Sequence, residues 1–365
     1  MTPYYISYIV MFLLSVNEFC YIGKNNSKAV KYRKRYCAIF AVIWIALLGL
    51  RHPTMGVDLD YGSPFGYLER FVLIGQLNLP DAFVKNTHFE HGYVIFNKIL
   101  SLFGSHYNIL LTGCALVALT FFAIWTYRNS DQPFLTSLIY LALPCFLINY
   151  SGLRQGLAVS ITLVAFEFIK KKKIIPFVLC VLLAATFHSS ATIFFIAYPV
   201  YWIQWKIIPK KFTTVFPIVV YALRYALFPI LSRLYQQNAV VDDSGQITMF
   251  VFYCLIYFFA IVFGSDDQEE NGFRNLFLIA TMIQAMSGIY GGATRLGYYF
   301  VVYLSMLLPC VVRYQKQVDN SFVKRKNGVV IYVGIAVAFF VFGLSILQRG
   351  GWAKSYPYYF FWNQI

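Results

Sequence analysis

Four polar residues stand where an otherwise apolar chain turns. Arg51 closes one apolar run, Arg154 and Arg295 open two others, and His188 sits in a turn between a further pair. A guanidinium at a helix N-terminus adds a positive side chain to the positive end of the helix dipole, and together they favour an anion. Guanidinium also matches phosphate oxygens in bidentate fashion. In "SGLRQGLAVS", residues 151–160, Ser151 is the expected N-cap, Gly152 and Gly156 permit close backbone approach, and Arg154 with Gln155 falls in the first turn, where backbone N–H groups lack partners. This combination predicts an anion-binding helix start.

The elements that must carry these residues follow from composition. The 365 residues are 59 % hydrophobic and 12 % charged, with 36 Phe and 29 Tyr, and the mean hydropathy is +0.62. Those values lie outside the range of soluble domains and predict an all-α, polytopic integral membrane helix bundle. About twelve apolar runs read as spans, near 3–22, 36–50, 107–127, 133–149, 153–169, 174–187, 189–205, 213–231, 247–264, 274–290, 294–313 and 328–347. No repeat or linker divides the chain, so 1–365 reads as one membrane domain. Between the second and third spans, 51–106 reads as a large outer loop, with amphipathic pieces such as "YLERFVLIG" and "VIFNKILSLF" suited to a membrane interface or a substrate-facing lid.

Charge orients the spans. The net charge is +15, and on this topology 20 of the 30 Lys and Arg fall on one side, in clusters such as Lys170 to Lys173. The positive-inside rule makes that side cytoplasmic, places both termini outside, and turns Arg51, Arg154, His188 and Arg295 outward. Clusters between apolar runs mark topology, so no nucleic-acid partner is expected. "MTPYYISYIV" lacks a positive start and reads as an anchor rather than a cleaved signal. The seven cysteines form no CxxC pair, and His88, Glu90 and His91 in "HFEH" lack the further ligands of a metal shell, so neither metal nor cofactor is expected. "DDQEE" at 266–270 reads as a solvated loop.

The order "RHPTMGVDLDY", "FEHGY", "SGLRQGLAVSI", "FHSSATI" and "TRLGYYF" resembles the EpsG-like branch of the Wzy-type polysaccharide polymerases. The resemblance implies a GT-C-like helical glycosyltransferase, multi-pass in the bacterial cytoplasmic membrane with its site facing outward. Such an enzyme joins oligosaccharide units carried on polyprenyl pyrophosphate, using lipid-linked donor and acceptor, membrane lipid and a chain-length regulator as partners. On this view Arg51, Arg154 and Arg295 stabilise the departing pyrophosphate, Gln155, Tyr61 and Tyr298 contact substrate through their motifs, and the base for the attacking hydroxyl is one of His188, Asp58 and Glu90. An unperturbed imidazole titrates near about 6.5, which suits that task.

Plainer readings stand beside these. Arginines at span ends snorkel to headgroups, His188 serves as a hydrogen-bonded turn residue, and Asp58 and Asp60 cap turns. A lipid-linked glycan flippase would carry charge through the bundle centre and show repeated halves, whereas only Arg224 reads as a mid-helix cation. A membrane acyltransferase would also use a histidine, with its acyl donor arriving from inside.

Overall fold

The computed structural model describes residues 2–56, 66–205, 210–235, 247–289, 291–319, 327–349 and 353–364. Every regular element among them is helical. They form two compact units, residues 1–192 with 336–365, and residues 193–335.

The first unit contains α1 (Thr2–Ser15), α2 (Glu18–Tyr21), α3 (Ser27–Gly49), α4 (Tyr67–Gln76), α5 (Leu79–Lys85), α6 (His91–Ser101), α7 (Tyr107–Asn129), α8 (Pro133–Leu141), α9 (Pro144–Ser151), α10 (Leu153–Lys170) and α11 (Ile174–Ala185). α3 starts where the Asn26 side chain accepts the Ala29 N–H at 2.9 Å, a helix cap. It then packs along α7, and the approach is close: a Cβ on Gly49 would stand 3.0 Å from Thr112 Cα. The expected 133–149 span is broken, with α8 and α9 meeting at 59°, because proline at 144 starts a helix well and continues one badly.

Residues 66–103, within the segment expected to be an outer loop, fold onto this frame. Leu68, Phe71 and Ile74 of α4 and Tyr93 and Val94 of α6 form one core with Leu110 and Leu111 of α7 and Leu153 and Leu157 of α10. The amphipathic pieces of the sequence are therefore helices, seated over the first turns of α7 and α10. Residues 353–364 return to the same end, where Phe361 donates to the Leu50 carbonyl, His52 to that of Tyr359, and the Tyr358 hydroxyl to that of Leu47.

The second unit comprises α12 (Ala197–Trp202), α13 (Val215–Tyr235), α14 (Ile247–Phe263), α15 (Gln268–Gln284), α16 (Gly291–Val301) and α17 (Leu304–Asp319), while α18 (Asn327–Arg349) begins in it and ends in the first. "DDQEE" is solvated only in part. Asp266 is exposed and pairs with Lys210, Asp267 caps α15, and Glu270 is fully buried 2.8 Å from Arg274 one turn later. Asn271 and Asn275 of the same helix donate to the carbonyls of Ile203 and Val200, closing the end of α12.

The count of about twelve spans is not supported. Among the described residues four helical stretches are long and apolar enough to cross, 107–129, 210–229, 292–318 and 327–349, or five if the bent α8–α9 pair is one span. The others fail for local reasons. α11 has 12 residues, about 18 Å against a hydrocarbon core of about 30 Å. The 189–205 run divides into a 3₁₀ segment, Ser189–Ile196, and the six-residue α12. The all-helical membrane class stands.

Candidate active site

Glu90 precedes the first turn of α6, and its position depends on a glycine. A Cβ on Gly92 would overlap Thr186 Oγ1 and come within 2.8 Å of the Thr186 carbonyl oxygen. Without one, α6 reaches the turn after α11, and Tyr93 N–H donates to that carbonyl at 3.3 Å. The turn itself is held by His188 N–H donating to Ala184 O. These contacts place the Glu90 carboxylate against His188. Oε1 lies 3.1 Å from His188 Nδ1 and accepts the Ser189 backbone N–H at 3.0 Å.

The other carboxylate oxygen meets α10. Arg154 Nη1 donates to Glu90 Oε2 at 2.6 Å and to the His88 carbonyl at 2.9 Å, and Nε donates to the Tyr67 hydroxyl at 3.3 Å. The guanidinium lies 4.8 Å from the ring centre of Phe89 and 5.9 Å from that of Tyr67, within reach of a cation–π attraction. Its Nη2 makes no hydrogen bond among the described residues. Arg154, Glu90 and His188 are each about one-fifth exposed, enclosed yet reachable.

Burial alone would raise the Glu90 carboxyl. The His188 hydrogen bond, the Arg154 charge and the Ser189 N–H outweigh it and hold the group down to about 2. Glu90 is thus a fixed anion, unsuited to accept a proton near neutrality. An imidazole whose Nδ1–H points at a carboxylate presents Nε2 as an acceptor, the orientation a carboxylate imposes in hydrolytic triads. The cluster can orient a base and hold a cation beside it.

Asp58, Asp60 and Tyr61 fall outside the described residues. Gln155 is buried. Arg51 is 1 % exposed and turns inward, donating to the carbonyls of Leu48, Asn149 and Tyr150 at 3.0 to 3.1 Å, with its guanidinium 5.0 Å from the Tyr150 ring centre. It ties the end of α9 to the end of α3, a cation satisfying C-terminal carbonyls, which is a structural task. Ser151, the expected cap of α10, ends α9 and donates to Ala353 O, while Gly152 occupies the cap position. Arg295 is exposed and Tyr298 buried, both on α16 in the second unit. No group of three His, Cys, Asp or Glu suited to a metal occurs among the described residues.

Tyr67, Phe89, Gly92 and the Ser189 N–H are site elements that reading the sequence did not single out. Gly92 had a signal, since a glycine between His and Tyr at a helix start marks a close approach.

A helical membrane protein with a carboxylate shared by a histidine and an arginine is the class that fold and site define. The chain belongs to the EpsG family, whose family model matches residues 34–360. No curated protein and no solved structure matches it.

Proposed function

We propose that this chain is a polysaccharide polymerase of the glycosyltransferase type. It joins oligosaccharide units carried on polyprenyl pyrophosphate at the outer face of the cytoplasmic membrane. Family membership supports a polysaccharide polymerase-like role, and the observation that carries the chemistry is the Glu90 carboxylate shared between His188 and Arg154. In this reading the acceptor sugar hydroxyl gives its proton to His188 Nε2 as its oxygen bonds to the donor's anomeric carbon. The bond from that carbon to pyrophosphate breaks, and the departing anion is met by the Arg154 guanidinium. Glu90 stays ionised throughout, orienting the imidazole and fixing the guanidinium, so the developing charge meets a preorganised cation.

The test is genetic. Deleting the gene should remove the high-mass polysaccharide ladder while single units still reach the surface, and Arg154→Lys, which keeps charge but loses the planar fork, should restore little polymer at normal protein level. Total loss of export on deletion would point to a transporter and reject the proposal.

A further inference from the structure

Helix α6 is apolar on two opposite sides. Tyr93, Val94 and Asn97 are buried on one. On the other, at 100° per residue, Ile95, Ile99 and the following Leu102 and Phe103 fall in a single stripe, exposed by 41, 52, 78 and 77 %. The stripe carries no charge. Lys98, the cation of this helix, folds back to donate to the carbonyls of Ile74, Gly75 and Leu77 at 3.3, 2.8 and 2.6 Å, capping the end of α4.

The stripe is continuous with a span. α7 begins at Tyr107, four positions after Phe103, and is long and apolar enough to cross a membrane. A span begins at the interface, so the turn from 102 to 106 lies at that depth. With 11 residues, α6 is about 16 Å long and cannot cross a hydrocarbon core of about 30 Å.

We propose that the exposed face of α6 and the turn after it are seated among the acyl chains of membrane lipid, with α6 lying along the bilayer surface. Because Glu90 precedes its first turn, this seat holds the carboxylate, histidine and arginine cluster near headgroup depth, where the phosphates of a lipid-borne substrate lie. The seat concerns protein and bilayer alone and does not depend on the polymerase reading, so its test requires no turnover.

The test replaces Ile99, and separately Phe103, with the photoreactive residue benzoylphenylalanine in the full chain, with Asp81, exposed on α5, as a water-facing control. Each protein is reconstituted into vesicles of phosphatidylethanolamine and phosphatidylglycerol and irradiated, and mass spectrometry of the intact chain reads the adducts. Both side chains point away from the packed core, and an unchanged elution volume verifies the fold. Phospholipid adducts at 99 and 103 should exceed those at 81 by at least about fivefold. Photolysis without lipid adducts at both positions would overturn the seat, and so would a covalent dimer, which would assign the stripe to a second copy of the chain.

Discussion

Replacing Glu90 by Gln keeps the side-chain volume and removes the charge together with one acceptor oxygen. In the protein that carboxylate receives Arg154 at 2.6 Å, His188 at 3.1 Å and Ser189 N–H at 3.0 Å. Burial opposes the anion, yet these donors bring the carboxyl from 4.5 to about 2, a preference of about 3 kcal/mol for the charged form. Because the folded value lies below the unfolded one, this stabilisation is fully present above about pH 4.5 and is lost as the pH falls towards 2. Glu90→Gln should therefore cost about 2–3 kcal/mol at pH 7, a fall of roughly 5–10 °C in Tm for a unit of this size, and the gap from the parent protein should narrow at pH 3. Polymer should fall by roughly tenfold to a hundredfold, since imidazole and guanidinium lose their shared anchor. Thermal unfolding in detergent at the two pH values, with polysaccharide gels from complemented cells, measures both. A variant with the parental Tm at pH 7, or with the same deficit at pH 3 and pH 7, would refute the reasoning.

Gly92→Ala should push α6 off Thr186 and reduce polymer at near-normal protein level, with partial recovery in the Gly92→Ala/Thr186→Ala pair; an active single variant would show that the close approach is dispensable. Arg51→Met should lower the yield of folded protein, at a cost of about 3 kcal/mol or more, because three carbonyls lose a charged donor. Detergent unfolding reads this, and a stable but inactive Arg51→Met protein would restore the residue to the ligand site. Polymerisation by the purified protein should survive EDTA; abolition with rescue by magnesium would make Asp58 and Asp60 the first ligands to examine.

The membrane class and the trio Glu90, Arg154 and His188 were legible because ionisable residues are rare in this chain and stand at breaks between apolar runs. Arg51 carries the same signature, an arginine at a span end, yet turns inward. Its partners Asn149 and Tyr150 are about a hundred positions away, and nothing local to 51 records that α9 ends beside it. Tyr67 had no signal among 29 tyrosines. The span count failed because a hydropathy window scores apolar runs and not helix length: Pro144 bends the 133–149 run, α11 has only 12 residues, and the 189–205 run divides into a 3₁₀ segment and a six-residue helix. "DDQEE" reads as a solvated loop from its charge alone; that Glu270 pairs with Arg274 and is fully buried is decided by the packing of the second unit.

The central claim is tested most directly by supplying the purified protein, in lipid vesicles, with a single oligosaccharide unit on polyprenyl pyrophosphate as both donor and acceptor. Electrophoresis of the products should show a ladder of two, three and more units from the parent protein and only the starting unit from His188→Gln, compared at equal amounts of folded protein. A parent protein that forms no product longer than the starting unit, or a His188→Gln ladder that grows at the parental rate, would contradict it.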